Sequence, residues 1–208
     1  MLLVGLTGNI AAGKSTVSQL LSERGATIID ADILARRAVE RGTAAYDKIV
    51  HRWGSTVLGP DKQIDRPSLR RVVFDDHDQL KELNEFVHPE VERQRTVLVE
   101  EARERGDRVV ICDIPLLFEA RLVDRFDKVI LVDATRPRRL ERLVHERQLS
   151  ETEAMKMIAA QMPAELKRAR ADYVIDNDGT IADLEKRVRA VWSELTADER
   201  ARSTAGVA

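Results

Sequence analysis

The chain has 208 residues, of which 43% are apolar and 34% charged, so it suits a folded protein of one large α/β domain or two small ones. A formal net charge of −2 and an aromatic content of 4% argue against a globally basic nucleic-acid binder and against a surface of stacked bases. One cysteine excludes an intramolecular disulfide, the N-terminus has no signal-peptide pattern and no apolar run reaches the ~18 residues of a membrane span. We therefore expect a cytoplasmic protein with no membrane and no nucleic-acid partner.

Short apolar runs rich in β-branched residues predict five strands along the chain. They lie at residues 2–7, 26–30, 108–113, 128–133 and 173–176. The runs are apolar on both faces, which is typical of a parallel sheet covered by helices on both sides. Most of them end in Asp or another polar residue, and ligands of such sheets collect at the carboxyl ends of the strands.

Helical patterns separate these strands. The predicted helices cover residues 14–24, 79–87, 89–105, 136–171 and 180–195, and the small, polar residues 196–208 predict a flexible tail. Pro89 suits the first residue of a new helix, so we expect two helices around it. Residues 33–107 contain no convincing strand and predict a mostly helical insertion in the sheet.

The strongest motif directly follows the first predicted strand. Gly8-Asn9-Ile10-Ala11-Ala12-Gly13-Lys14-Ser15 matches G-x-x-x-x-G-K-[ST], the P-loop, and a helical pattern comes next. The backbone N–H groups of such a loop wrap the β-phosphate of a nucleotide, and its glycines permit a close approach. Lys14 would reach the β- and γ-phosphates, Ser15 would be the metal ligand for Mg²⁺, and Thr16 could contact the α-phosphate. The motif predicts a nucleoside triphosphate site.

The class of P-loop protein follows from what surrounds the motif. The third predicted strand ends in Asp113-Ile114-Pro115-Leu116, where a GTPase would have D-x-x-G, and no [NT]-K-x-D motif occurs later. Helicases and large motor ATPases need a longer chain. A small-molecule kinase is the class that remains.

A pair of carboxylates, Asp30 and Asp32, closes the second predicted strand. A kinase that acts on an alcohol needs a carboxylate to accept the hydroxyl proton, and a second one can hold Mg²⁺ through water. The alternative is that these acids cap the next helix, because Asp is a favoured N-cap residue. The spacing alone does not separate the two interpretations.

Further motifs run along most of the chain. They are Gly5-Leu6-Thr7-Gly8, Ile29-Asp30-Ala31-Asp32, Ile64-Asp65-Arg66, Val87-His88-Pro89, Ile114-Pro115-Leu116-Leu117-Phe118-Glu119, Gln161 and Ile175-Asp176-Asn177. Together with the P-loop, they make the chain resemble the dephospho-CoA kinase family over about residues 1–195. The P-loop alone is unspecific, whereas the combined set is not.

This resemblance implies ATP-dependent phosphorylation of the ribose 3′-hydroxyl of dephospho-CoA, which is the last step of coenzyme A synthesis. It implies an α/β fold, a P-loop three-layer sandwich with a five-stranded parallel sheet in the order 2-3-1-4-5. The expected single domain, 1–195, has a core of 1–32, 108–135 and 171–195. A helical CoA-binding region, 33–107, and a helical lid, 136–170, complete it.

The resemblance also implies roles for individual residues. Asp32 would be the general base and Lys14 would stabilise phosphate charge. Thr7 would shape the substrate end of the P-loop, and Asn177 would lie by the ATP adenine. The residues expected near the acceptor pocket are His88, Pro89, Leu116, Leu117 and Glu119.

The P-loop departs from the family's usual Gly-Gly-Ile-Gly-Ser-Gly at Asn9, Ala11 and Ala12. Asn tolerates left-handed backbone conformations and Ala is small, so we expect the phosphate cradle to form. We expect this departure to affect the flexibility of the loop and its affinity for ATP, and to leave the reaction unchanged.

Arginines are concentrated after the fourth predicted strand, where P-loop kinases carry their lid. They are Arg136, Arg138, Arg139, Arg142 and Arg147. Lid arginines stabilise charge on the transferring phosphate. Most of the five also fit a solvated face paired with Glu141 and Glu146. We expect one to three to be catalytic and assign that role to Arg142 and Arg147, followed by Arg139.

Two rival functions stay open from the residues. A kinase of another small alcohol or nucleotide would also place an Asp after the second strand, although the long helical region argues against the smaller shikimate type. A nucleotide sensor that binds ATP without chemistry would release no ADP with any acceptor. The expected assembly is a monomer or weak homo-oligomer.

Overall fold

In the computed structural model, which describes residues 1–74 and 76–205, five strands form one sheet in the order β2-β3-β1-β4-β5. The strands are β1 (Leu2–Gly8), β2 (Thr27–Asp30), β3 (Val109–Asp113), β4 (Lys128–Asp133) and β5 (Tyr173–Asp176). Strand β1 pairs in parallel with both β3 and β4, and β4 pairs in parallel with β5. The expected fold class and strand order are confirmed.

Helices connect the strands and extend the chain beyond them. In the described residues they are α1 (Lys14–Ser22), α2 (Ala31–Arg37), α3 (Ala44–Trp53), α4 (Arg66–Phe74), α5 (His77–Glu104), α6 (Arg136–His145), α7 (Glu151–Ala159), α8 (Ala164–Arg168) and α9 (Ile181–Ala205). Short 3-10 turns occur at Gly54–Val57 and Val123–Arg125. The chain forms two compact units, Met1–Ile29 with Ala102–Ala208, and Asp30–Glu101.

The first unit has its core where helices cover the sheet. Val17 and Leu21 of α1 and Val188 of α9 belong to one buried cluster with strand residues such as Leu6 and Ile130. Strands β3 and β4 are apolar on both faces, as expected for strands in the middle of a covered sheet. This core holds the carboxyl ends of the strands, and therefore the loops that follow them, in fixed positions.

The second unit has a separate apolar core. Its buried members are Val39, Ile49, Trp53, Val57, Leu69 and Val73. The Trp53 ring meets the Phe86 ring edge-on with centroids 6.0 Å apart, and its Nε1 donates to Gln79 Oε1 at 2.8 Å. Among the described residues between 33 and 107, the regular elements are helices, joined by turns and loops, and the one isolated bridge pairs Leu58 with Ile64.

The prediction that Pro89 begins a new helix is wrong. Helix α5 is continuous from His77 to Glu104, with Pro89 inside it. Proline removes the hydrogen bond that its N–H would donate to the carbonyl of Glu85. Pro89 and Glu85 are both exposed, so that carbonyl lies on the solvent side, where water can satisfy it.

The prediction of a flexible tail from residue 196 is also wrong for the described residues. Helix α9 continues to Ala205, while 206–208 lie outside the described residues. Glu199 is buried there and accepts hydrogen bonds from Arg108 at 2.7 and 2.9 Å. The small, polar composition of this segment hid a tertiary contact that keeps it helical.

Candidate active site

The P-loop joins β1 to α1 in a tight turn that depends on its glycines. Gly13 has a φ of 93°, and a Cβ placed on it would lie 2.1 Å from Asn177 Nδ2. A Cβ on Gly8 would lie 2.8 Å from the carbonyl oxygen of Val132. Glycine is therefore required at both positions, one for its backbone conformation and close approach, the other for close approach alone.

The P-loop forms its turn with Asn9, Ala11 and Ala12 in place of the family's usual residues. Of these three, Ala11 has the left-handed backbone conformation, with a φ of 59°, whereas the sequence suggested Asn9 for it. Asn9 is buried at 3% exposure, and its Oδ1 has no hydrogen-bond partner among the described residues. The backbone N–H of Ala12 donates to the Asn9 carbonyl at 3.0 Å, which closes the turn.

Lys14 pairs with Asp113, the last residue of β3. The carboxylate is 5% exposed and the lysine side chain 16%. The register that pairs Leu6 with Asp113 brings this carboxylate to the start of the P-loop. In P-loop NTPases a strand-terminal Asp helps to hold Mg²⁺. No such role was predicted for Asp113, although an Asp that ends an apolar strand is a sequence signal for it.

Three side chains from the part of the chain after β4 bind three successive residues of the P-loop. The backbone N–H of Ile10 donates to Gln161 Oε1 at 2.7 Å. Arg142 of α6 donates to the Ala11 carbonyl at 3.0 Å and to the Asn177 carbonyl at 2.8 Å. Asn177, after β5, donates from Nδ2 to the Ala12 carbonyl at 2.8 Å. These bonds occupy the Ala11 and Ala12 carbonyls and fix the loop.

The three arginines predicted to be catalytic lie in different environments. Arg142 is half-buried against the P-loop carbonyls, and Arg147 is exposed beyond the end of α6. Arg139 is buried and donates from Nε to the Ala134 carbonyl at 3.1 Å. Burial lowers the pKa of Arg139 from its ordinary value. Its guanidinium is enclosed at the start of α6, and the catalytic role of Arg139 stays a prediction.

The loop after β3 carries several residues predicted near the acceptor. Thr7 is fully buried and donates from Oγ1 to the Pro115 carbonyl at 3.1 Å, which ties the loop to β1. Leu116 is 50% exposed. Leu117 is fully buried, and a Cβ on Gly5 would lie 2.6 Å from its Cδ1. The expected place of Leu117 near the acceptor pocket stays a prediction.

Glu119 forms an ion pair that no sequence pattern predicts. Its Oε1 lies 2.7 Å from Nζ of Lys167, a residue of α8 with no exposed surface. Glu119 Oε1 also accepts a hydrogen bond from the Met162 N–H at 3.2 Å. Burial raises the pKa of Glu119, but the hydrogen bonds and charge around it, led by Lys167, outweigh this and hold the pKa below its usual value. A lone lysine in a polar helical stretch carries no sequence signal of burial.

A cavity of about 630 Å³ lies beside Asn177, between the start of α6 and the loop that follows β5. Its lining residues are Thr135, Pro137, Arg138, Glu141, Asp178, Gly179, Thr180 and Asp183. Asp178 accepts hydrogen bonds from the Thr135 N–H and hydroxyl, both at 2.8 Å. Burial raises the pKa of Asp178, but these bonds bring it below its usual value.

Asp32, His88 and Pro89 belong to the second unit and are exposed there. Asp30 is the N-cap of α2, and its carboxylate accepts hydrogen bonds from the N–H groups of Asp32 at 2.7 Å and Ile33 at 3.1 Å. The capping interpretation therefore applies to Asp30. The Asp32 carboxylate makes no contact of this kind with the described residues.

The oxygen groups suited to Mg²⁺ in the first unit are the exposed Ser15 hydroxyl and the Asp113 carboxylate. The described residues hold no cluster of three or more His, Cys, Asp or Glu that could bind a metal alone. Magnesium is typically held by one or two protein oxygens together with substrate phosphates, so this set fits it. None of the helices in the described part of the chain has the length and apolar character of a membrane span.

Comparison with known proteins gives a consistent match. The family model described as dephospho-CoA kinase matches residues 2–183. A dephospho-CoA kinase of Bacillus cereus is 47% identical over 193 residues, which cover 90% of this chain and 94% of the relative. A crystal structure of a Thermus thermophilus protein is 39% identical, with a TM-score of 0.79, over 94% of this chain and 98% of that one. The dephospho-CoA kinase structure from Campylobacter jejuni is 25% identical, with a TM-score of 0.67, over 93% of this chain and 96% of that one.

Proposed function

The chain belongs to the dephospho-CoA kinase family and phosphorylates dephospho-CoA to coenzyme A with ATP, and from this premise we propose how its residues divide the reaction. The ribose 3′-hydroxyl oxygen bonds to the γ-phosphorus of ATP while the bond from that phosphorus to the β,γ-bridging oxygen breaks. ADP leaves, and the hydroxyl proton passes to a carboxylate. Such a reaction depends on positioning and on charge stabilisation.

The observation that carries this proposal is the P-loop with its surroundings. The strand–loop–helix of Gly8–Lys14 presents backbone N–H groups, and Lys14 and Asp113 meet at its base. We assign Gly8, Asn9, Ala11, Ala12 and Gly13 to the cradle and Thr16 to the α-phosphate. Lys14 neutralises charge as it develops on the β- and γ-phosphates.

Asp32 is proposed as the general base. Its exposed carboxylate stands in the first turn of α2, while Asp30 supplies the helix cap. A carboxylate that is not engaged in capping can accept the proton of an acceptor hydroxyl. The identity of the base rests on the match of Asp30-Ala31-Asp32 to the family motif.

Arg142 and Arg147 are proposed to act differently. Arg142 positions the P-loop through its bonds to the Ala11 and Asn177 carbonyls. Arg147 is exposed, and we propose that it is the arginine that stabilises charge on the transferring phosphate. The division follows from the guanidinium of Arg142 being occupied by carbonyl oxygens.

Mg²⁺ is proposed as the metal, held by the Ser15 hydroxyl with Asp113 beside it. When bound, Mg²⁺ neutralises charge on the β- and γ-phosphate oxygens. Asn177 is proposed to lie by the adenine of ATP, because its side chain bonds to the P-loop at Ala12 and the next residue, Asp178, lines the cavity.

We propose Thr7, Leu116, Leu117 and Glu119 of the first unit as acceptor-binding residues. His88 and Pro89, which belong to the second unit, are proposed for the same role. We propose residues 33–107 as the CoA-binding region and 136–170 as the lid. The proposed working form is a monomer or weak homo-oligomer in the cytoplasm, where ATP is available, with no nucleic acid bound.

An acceptor panel tests this function. The protein is incubated with Mg-ATP and, separately, dephospho-CoA, shikimate, AMP or pantothenate, and both ADP and the mass of the acceptor are measured. We expect ADP and an added phosphate with dephospho-CoA. ADP release with another acceptor alone would favour the rival kinase, and no ADP release with any of them would favour the sensor.

A further inference from the structure

The short segment 161–168, which we call the bracket, bonds to both sides of the candidate active site. Gln161 accepts from the P-loop at Ile10 N–H. Met162 and Lys167 bind Glu119 of the loop after β3. At its end, Arg168 Nη1 lies 2.9 Å from Asp133 and 2.6 Å from Asp176, at the ends of β4 and β5. One stretch of eight residues therefore touches the nucleotide cradle and the proposed acceptor loop.

Lys167 is the unusual member of the bracket. Its side chain is fully buried, whereas lysine is almost always exposed at least at its ammonium group. A buried ion pair is a weak source of stability, because desolvation of the two charges offsets their attraction, and apolar residues of similar volume are often as stable. Stability alone therefore gives little reason for a lysine at this position.

The position of Glu119, the partner of Lys167, gives another reason for a lysine at this position. Glu119 closes the loop that begins at Asp113, the carboxylate paired with Lys14, and continues through Pro115, whose carbonyl accepts from Thr7. Thr7 anchors the loop near its start, and Lys167 and Met162 anchor it at Glu119. The exposed Leu116 lies between these two anchors. Lys167 Nζ lies 2.7 Å from Glu119 Oε1 on a side chain with no exposed surface, and the attraction between opposite charges is stronger where water does not screen them.

We propose that Lys167 is a positioning residue for the acceptor: it holds Glu119, and with it the loop 114–119, while Gln161 holds the P-loop from the same bracket. The inference rests on the proposed function, because that function assigns this loop to dephospho-CoA. Lys167 has no exposed surface and touches neither substrate. Its effect reaches the reaction only through Glu119.

The test separates the two substrates kinetically. Lys167→Met keeps the length of the side chain and removes its charge. We expect the KM for dephospho-CoA to rise about tenfold, with the KM for ATP changed by less than about twofold. Gln161→Ala should show the opposite split, because Gln161 bonds to the nucleotide cradle. Lys186→Met, at an exposed lysine of α9 outside the proposed lid, is the matched control and should behave as wild type.

Each outcome decides the inference. A Lys167→Met protein in which both KM values are unchanged, or change by the same factor, would show a structural role only and overturn it. If that variant fails to fold, Lys167→Gln, which keeps a donor for Glu119, is read by the same split, with a smaller expected rise. Wild type that does not phosphorylate dephospho-CoA would instead refute the proposed function, so the two failures are distinguishable.

Discussion

Asp30 and Asp32 lie two residues apart, yet their carboxylates have different surroundings. Asp30 accepts two backbone hydrogen bonds at the start of α2, and Asp32 is exposed in the first turn of that helix. The Asp30 carboxylate, which caps the helix, already accepts hydrogen bonds from backbone N–H groups. The Asp32 carboxylate does not cap the helix, so it is suited to accept a proton from an incoming hydroxyl.

This difference gives a prediction for the two residues. Asp32→Asn should lower kcat about 100- to 1,000-fold, because an amide cannot accept the hydroxyl proton. The KM for ATP should change little. Asp30→Asn is the control, since Asn is as good an N-cap as Asp, and it should retain kcat within about tenfold. Steady-state kinetics with dephospho-CoA measure both, and near-wild-type turnover of the Asp32→Asn protein would refute the base assignment.

The arginines give a second prediction at this scale. Lysine cannot reproduce the fork by which Arg142 reaches the Ala11 and Asn177 carbonyls. Arg142→Lys should therefore raise the KM for ATP about tenfold, whereas Arg147→Ala should lower kcat about 100-fold or more with a smaller effect on ATP binding. Nucleotide titrations and initial rates distinguish the two patterns. Identical effects of both substitutions would contradict the proposed division.

The residues of this site differ in how far the sequence reveals them. The P-loop was predictable because its eight residues are consecutive in the sequence and act together on one ligand. The pairings of Lys14 with Asp113 and of Glu119 with Lys167 were not, because each joins residues that are distant in the sequence and are brought near only by the fold. Arg139, Arg142 and Arg147 share a residue type and a short stretch, and only their three-dimensional surroundings separate them.

At the scale of elements, two loops at the carboxyl edge of the sheet are joined by Asp178. This residue follows β5 and accepts both the N–H and the hydroxyl of Thr135, which precedes α6. Its pKa lies below its usual value: burial raises it, but the bonds from Thr135 outweigh that effect. The two loops also form part of the wall of the cavity beside Asn177.

A pH-dependent stability prediction follows from the lowered pKa. A carboxylate whose pKa is lower in the folded state stabilises that state above its unfolded pKa of about 4, and this contribution is lost as the pH falls through the folded pKa. The free energy of unfolding of wild type minus that of Asp178→Asn should therefore shrink from pH 7 to about pH 3. Denaturant unfolding at several pH values measures it. A difference that stays constant or grows toward acid would contradict the role of Asp178.

The elements themselves were predicted unevenly. Strand β5 coincides with the predicted run because a buried strand at the sheet edge is short, apolar and bounded by polar residues. Helix α5 passes through Pro89, since a proline on an exposed helix face loses one hydrogen bond without having to end the helix. A local pattern cannot tell a proline that starts a helix from one that lies inside it.

At the scale of the whole molecule, the C-terminal part of α9 is tied to the beginning of the chain. Glu199 accepts two hydrogen bonds from Arg108, just before β3, and its Oε1 lies 3.8 Å from the terminal amine of Met1. The N–H of Leu2 in turn donates to the Arg108 carbonyl at 2.8 Å. This distant contact explains why the helix continues beyond residue 195, where composition alone predicted a flexible tail.

Loss of this contact should lower global stability. Glu199→Ala should cost about 2 kcal/mol, because it removes a buried acceptor of charge-assisted bonds, and should lower Tm by about 4–8 °C. Glu194→Ala, at an exposed position of the same helix, is the matched control and should change Tm by less than about 2 °C. Thermal unfolding followed by circular dichroism measures both. Equal melting temperatures for the two variants would contradict the structural role of Glu199.

The central claim is the transfer of the γ-phosphate to one hydroxyl of dephospho-CoA. The most direct test is ³¹P NMR of the product formed from dephospho-CoA and Mg-ATP, with ADP measured in the same sample. We expect one new phosphomonoester on the ribose 3′-oxygen and one ADP for each such group. A phosphate on the 2′-oxygen, or ADP accompanied only by inorganic phosphate, would contradict it.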